Sequence, residues 1–395
     1  MRSEATGVIV TGLPNERLRE YAFENDKKHR WQKLEGPCHI HIFVTNGSAA
    51  MIARFQCHAR ARKPSKSGMR RAFVLLLAVS VNSGLGAQAM AENRLPVVGV
   101  LSFFGRSHES AWDRLGVQPF RESLAEQGWV EGKTVRLEFA DANGDPMLFS
   151  KAAEKLVEQK VDIIMAYSAP ALRAAFAATR TIPIVGADLT TEPVAEGYVQ
   201  SYAHPGGNVT GLFLDAPEFA GKWFELLKQV NPELSRVAVL WDPAPGTNHL
   251  DAVRSVAGSL NITLQILEVR EPGDIDAAFA AMSKRTQAVV ILPSPMNFWQ
   301  SARLAELALK YRLPATSMAL EFANAGGAIS YGPDTSPVFQ RSAAMVSKIL
   351  RGAKPGDVPV ERPLGIRLVV NVKTARLLGI TIPQSILLRA DEMIR

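Results

Sequence analysis

The sequence predicts an α/β protein of two doubly wound, Rossmann-like lobes, each built on a parallel sheet. Three observations predict it. From Arg94 onward, short β-branched runs alternate with amphipathic helical stretches, the rhythm of βαβ units. The rhythm pauses at Pro205-Gly-Gly-Asn-Val-Thr-Gly211 and then restarts, which makes two trains. The 304 residues from Glu92 onward are enough for two ordinary cores.

In the first train, Leu95-Pro-Val-Val-Gly-Val-Leu101 reads as a buried strand. A helix follows from about Ser110 to Trp129, ending at Gly128. Thr134–Ala140 alternates as a strand does, and Leu148–Gln159 has helical spacing. Then come strand Val161–Ala166, helix Ala171–Thr179 and strand Ile182–Gly186. The second train runs helix Trp223–Val230, strand Arg236–Leu240, helix Leu250–Leu260 and strand Thr263–Val269. It continues with helix Ile275–Met282, strand Ala288–Leu292 and helix Ser301–Tyr311. Strand Gly327–Tyr331 and helix Val338–Leu350 follow.

In doubly wound sheets, ligands sit beyond the carboxyl ends of the strands. That rule places Ser102-Phe103-Phe104, Tyr167-Ser168, Asp188-Leu-Thr190, Trp241-Asp242 and Ser294 in one layer. Facing lobes would line a single cleft with them. Ser102 can offer a hydroxyl to an anionic group near a helix start, or be an ordinary loop serine. Phe103 and Phe104 can stack on a planar ligand or pack into the core. Tyr167 and Ser168 are expected to touch ligand. Asp188 can accept from an ammonium or cap the next segment. Trp241 beside Asp242 suits an amine-bearing ligand; otherwise the indole covers a sheet edge. Trp223 reads as core. His108, His204 and His249 have no partner spacing and read as surface or loop residues.

Charge narrows the function classes. The chain carries 45 Lys+Arg and 38 Asp+Glu, a net charge of +7. Residues 1–91 hold 14 of the basic and only 6 of the acidic side chains, leaving 31 basic and 32 acidic in the rest. The body is therefore not basic, and no nucleic-acid partner is expected for it. Both cysteines, Cys38 and Cys57, fall before residue 92. This excludes a disulfide framework, a zinc–thiolate site and a cysteine nucleophile from the body. Pro205-Gly-Gly207 lacks the Lys and Ser/Thr of a phosphate-binding loop. No G-x-S-x-G or H-E-x-x-H occurs. No catalytic residue, metal or cofactor is expected.

Residues 69–91 read as a secretory signal peptide. Met69-Arg70-Arg71 is positive, Ala72–Val81 is apolar, and Ala87-Gln-Ala-Met-Ala91 ends in small residues. The 10-residue apolar run is too short to span a bilayer. Cleavage after Ala89 or after Ala91 fits, and the arginine pair leaves Sec and twin-arginine export both open. No Cys follows to carry a lipid. Residues 1–68 show no sustained period and read as an upstream, disordered or mistranslated extension. Cys38-His39-Ile40-His41 with Cys57-His58 matches no zinc spacing.

Three segments of the body are similar to the solute-binding proteins of ABC transporters, specifically the tryptophan-type family. They are Gln127-Gly-Trp-Val-Glu-Gly132 with Val135-Arg-Leu-Glu138, then Ala203-His-Pro-Gly-Gly-Asn-Val-Thr-Gly211. The third is Leu368–Pro383, closing with Leu388-Arg-Ala-Asp-Glu392. The resemblance covers about Leu95 to Ile394. It implies a type I periplasmic-binding-protein fold with hinge crossovers. It divides the body into 92–208 plus about 326–352, and 209–325 plus about 353–395. It implies a periplasmic receptor, not an enzyme, expected as a monomer. Such a receptor closes on a small-molecule solute, expected to be an aromatic or branched amino acid, and delivers it to an inner-membrane permease. Tyr331, in Ser330-Tyr331-Gly332, matches a family motif and is a ligand or hinge-packing candidate. The loop Ala315-Thr-Ser-Met-Ala-Leu-Glu321 departs from the Tyr or Arg that relatives often carry there. A ligand-sensing regulator on the same fold is the alternative. It would need a helix-turn-helix ahead of residue 92.

Overall fold

The computed structural model describes residues 94–103, 113–214, 216–363 and 365–395, together with three strands nearer the N-terminus. The chain divides into two compact units, Met1–Asn93 and Arg94–Arg395. In the first, β1 (Thr6–Val10), β2 (Cys38–Val44) and β3 (Ile52–Cys57) form an antiparallel sheet in the order β1-β2-β3. The sequence there shows no sustained period, so these strands were not expected. The predicted signal segment 69–91 lies outside the described residues, as do Phe104 and His108.

The second unit carries two sheets. The first holds β4 (Val97–Ser102), β5 (Arg136–Asp141), β6 (Ile163–Tyr167), β7 (Ile184–Asp188) and β8 (Val209–Phe213). All are parallel, in the order β5-β4-β6-β7-β8. The second holds β9 (Arg236–Trp241), β10 (Thr263–Glu268), β11 (Ala288–Ile291), β12 (Ala315–Ser317) and β13 (Ile329–Pro333). Its order is β10-β9-β11-β12-β13, again parallel. Two C-terminal strands extend this sheet beyond β13: β14 (Ile366–Asn371), antiparallel to it, and β15 (Glu392–Ile394). The five-strand order is the same in both lobes, as the restarted rhythm predicts. It is the doubly wound order whose switch point falls between the first and third strands.

Both faces of each sheet are covered, which is why the strands read as continuous apolar runs. Along β4, Val97 and Leu101 join one core cluster, and Val98 and Val100 the other. Helices Phe149–Glu158 and Ala169–Ala178 cover the first face. Helices Gln118–Glu126 and Thr335–Leu350 cover the second. In β9, Val237 and Val239 face helices Ala216–Val230 and Asn248–Ser259. Ala238 and Leu240 face helices Asp274–Ala280 and Ser301–Lys310. Trp223 is fully buried among them.

The chain crosses between lobes three times, near residues 214–216, 333–335 and 361–366. The first two crossings fall later than the resemblance implies. Val209–Phe213, expected in the second lobe, is the edge strand of the first sheet. Ile329–Pro333, expected in the first lobe, belongs to the second sheet. The glycine-rich turn precedes an edge strand rather than ending the lobe. That strand needs a glycine: at Gly211 φ is +147°, and a Cβ would lie 1.9 Å from the Gly186 carbonyl oxygen. Residues 353–361, expected in the second lobe, also stay with the first. Glu361 bridges Leu212, and its N–H donates to the Gly211 carbonyl at 2.9 Å.

Candidate functional site

The carboxyl ends of the two sheets face each other, and side chains from each lobe reach the other. Arg173, on helix Ala169–Ala178, donates to the carbonyls of Ala244 at 3.3 Å and Pro245 at 3.2 Å. Asn248 donates to the Thr190 carbonyl at 3.4 Å. The His249 ring nitrogen lies 3.0 Å from the Leu189 carbonyl. Leu189 packs on a second-lobe core cluster, and Trp299 packs on both first-lobe clusters. The lobes are thus drawn together. His249, expected at the surface or in a loop, is buried at this junction; His204 is exposed.

The predicted residues divide into those tied up within their own lobe and those left with unmet bonding capacity. Ser102 is buried at the end of β4, and Phe103 beside it packs on Phe149 at 6.1 Å in the first-lobe core. Asp188 ends β7 fully buried. Its carboxylate accepts from the Thr190 N–H at 2.8 Å, the Thr190 hydroxyl at 2.7 Å and the Thr191 hydroxyl. Burial pushes this carboxyl up, and the threonine donors and the Arg173 charge oppose that shift. Its bonds are those of a turn-forming aspartate.

In the second lobe, the Trp241 indole N–H donates to the Gly246 carbonyl at 3.1 Å, and its ring packs on the lobe core. Asp242 accepts from the Ala244 N–H at 2.9 Å and from the Ser294 hydroxyl. Burial pushes its carboxyl up against these donors. Ser294 also caps helix Pro295–Trp299, accepting from the Asn297 N–H at 3.0 Å. The structure therefore joins Asp242 and Ser294 at the second lobe's switch point. Tyr331 packs on Phe219 at 5.6 Å, and its carbonyl accepts from Trp223 at 3.1 Å. These contacts place it in hinge packing against helix Ala216–Val230.

Tyr167 and Ser168 behave differently. The Tyr167 ring stacks on Phe339 with centroids 4.7 Å apart. Its phenol is pushed well up, first by burial and then by the negative charges of Glu321 and Asp188. Ser168 has φ +96° and ψ 157°, a conformation that costs a non-glycine residue of order 1–3 kcal/mol. It is 8% exposed, stands before helix Ala169–Ala178 without capping it, and its hydroxyl has no partner among the described residues. Strain and an unmatched buried hydroxyl thus coincide at one residue.

Glu321 was not singled out from the sequence. It lies on helix Leu320–Asn324, just after β12, so it belongs to the second lobe. Its charge acts on Tyr167 of the first lobe. Its Oε2 is buried without a hydrogen-bond partner among the described residues, and burial pushes its carboxyl up to about 7. The only available signal was the departure of loop 315–321 from the expected pattern. Asn297 Oδ1 and Thr316 Oγ1 are further unmatched buried atoms of this lobe. Among the described residues, no three His, Cys, Asp or Glu side chains are placed to hold a metal.

Residues 98–394 match the family described as ABC transporter substrate binding protein. This chain belongs to that family. Among relatives of this substrate-binding protein is the tyrosine-binding protein of Clostridioides difficile strain R20291. It is 23% identical over 265 residues, which span 66% of this chain and 75% of the relative. A conserved domain protein from Vibrio cholerae superposes with a TM-score of 0.70 at 27% identity, over 76% of this chain and all of that one. An ABC domain from Streptococcus pneumonia, in complex with L-Trp, superposes with a TM-score of 0.68 at 24% identity, with the same coverage. These likenesses agree with the type I periplasmic-binding-protein fold that the sequence resemblance implies.

Proposed function

We propose that this substrate-binding protein is the extracytoplasmic solute receptor of an ABC importer. It is exported by the segment 69–91, with residues 1–68 upstream of the mature chain. It closes its lobes on a small molecule, an aromatic or branched amino acid, and hands it unchanged to a membrane permease. The observation that carries this reading is the pair of unmatched buried groups on opposite lobes, Ser168 Oγ and Glu321 Oε2. A ligand bridging them would favour closure, because it meets both only when the lobes are together. Tyr167 on Phe339 supplies an aromatic wall. The relatives described as binding tyrosine and L-Trp support an amino acid as the solute. Among the described residues no helix is long and apolar enough to cross a membrane, so translocation is assigned to partner chains. The regulator alternative requires a helical DNA-binding module, whereas the described N-terminal residues are strands.

Titration calorimetry with L-tryptophan, L-tyrosine, L-phenylalanine and L-leucine tests this reading. One-to-one binding is expected, with the amino acid recovered chemically intact. Conversion of the bound compound to a product would contradict it.

A further inference from the structure

Asp334 stands where the second crossing leaves β13 and opens helix Thr335–Leu350 of the first lobe. Its carboxylate faces both ways. Oδ1 accepts from the Ser336 N–H at 3.2 Å and so caps the helix. Oδ2 meets the Arg367 guanidinium of β14, in the second sheet, at 3.6 Å. Arg367 is steadied from its other side by Glu392 of β15, whose carboxylate lies 2.9 Å away. The Asp334 N–H donates to the Gly365 carbonyl of the third crossing at 3.2 Å. One residue thus joins the second and third crossings and, through its two oxygens, the two lobes. Further along, the same helix is fastened within the first lobe. Arg341 meets both oxygens of the Glu361 carboxylate, and Glu361 is bridged to β8.

The helix start fixes the direction of one Asp334 oxygen, and β14 fixes the partner of the other. Rotating the first lobe against the second turns the helix start away from β14. Both bonds therefore hold only near the present angle between the lobes. At that angle the lobes are drawn together, with Arg173 and Asn248 bonded across the gap. We propose that Asp334 is a positioning residue of the hinge, whose shared carboxylate biases the ligand-free protein toward the drawn-together arrangement. The Arg367 and Asp334 side chains are 34% and 33% exposed, so dissolved ions reach the pair and the bias weakens as salt rises. The Arg341–Glu361 pair lies within the first lobe and is indifferent to the angle. Asparagine caps a helix as well as aspartate does, so the ion pair can be removed with the cap left in place. The bias belongs to the ligand-free chain and does not depend on which solute the cleft takes.

The test is the distance between lobes in the full chain, freed of bound solute, measured by double electron–electron resonance. Nitroxide labels are attached through Met147→Cys and Glu271→Cys, exposed positions after β5 and β10, with Cys38 and Cys57 replaced by serine. At low salt, Asp334→Asn and Arg367→Gln are each expected to raise the share of the longer distance about threefold. Arg367→Lys, which keeps the charge, is expected to retain the wild-type distribution. High salt is expected to bring the wild type to the distribution of the two neutral variants. Arg341→Gln is expected to lower the melting temperature and leave the distance unchanged, which separates positioning from plain stability. Arg367→Gln keeps the Asp334 charge that acts on Glu321, so agreement between the two neutral variants assigns the effect to the ion pair. Wild-type distances in Asp334→Asn at low salt would overturn the proposal. So would a shift in Asp334→Asn that Arg367→Gln does not share, or an equal shift in Arg341→Gln.

Discussion

Under the proposed function, Ser168 and Glu321 are the residues where ligand binding is expected to cost stability. The strained backbone at Ser168 suits glycine, so Ser168→Gly should raise stability by about 1 kcal/mol after the entropic cost of glycine. The same change should weaken solute binding about tenfold, because a buried hydroxyl partner is lost. Paired thermal melts and calorimetry check this, and a fall in melting temperature would contradict the strain assignment. Glu321 gives a pH signature. Its carboxyl rises from 4.5 to about 7 in the folded protein, so the folded state binds more protons between those values. Stability from this group is present at pH 4.5 and below and is lost as pH rises through 7. The loss is roughly 3 kcal/mol. Melting curves should show the ligand-free wild type losing this stability relative to Glu321→Gln between about pH 5 and pH 8. Parallel pH profiles would remove the assigned burial effect. The sequence made the place of Ser168 legible, because the period of the strand before it puts it just past the carboxyl end of a parallel strand. It left Asp188 open between ligand and cap, and the threonines two and three residues on take up its oxygens. Glu321 was hidden because nothing in a single sequence tells that a glutamate on a short helix has lost its water.

At the scale of elements, helix Ala169–Ala178 couples the lobes. Its N-terminus presents Ser168, and one turn further Arg173 reaches two carbonyls of the loop after β9. Removing the guanidinium deletes two interlobe hydrogen bonds, each contributing about 1 kcal/mol. Arg173→Ala should therefore open the ligand-free protein, seen as a larger radius of gyration in solution scattering, and weaken solute binding about tenfold. Identical scattering from the two proteins would mean that Arg173 does not hold the lobes together. The alternating elements were legible from period and punctuation, since both sheets are buried on both faces. The edges were not. Val209–Phe213 follows a glycine-rich turn and Ile329–Pro333 precedes a crossing, so each looks like the start or end of a lobe. Their partners in the sheet decide otherwise. At Trp241 the sequence shows an indole at a strand end, but not that its N–H donates to the Gly246 carbonyl five residues on.

Across the whole molecule, one strand order occurs twice and the two switch points face each other. Three crossings join the lobes, and buried groups with unmet bonds, Ser168 and Glu321, lie on opposite lobes. A solute that joins them stabilises the closed protein by mass action. Thermal melting against amino acids, nucleobases, sugars and small acids measures this directly, in protein freed of bound solute by unfolding and refolding. At about 100 times its dissociation constant, a true solute adds about 2.7 kcal/mol, a shift of a few degrees for a body of this size. The account predicts such a shift from an amine-bearing aromatic or branched amino acid, with the compound recovered intact. A well-folded sample whose melting temperature moves with none of them would contradict it.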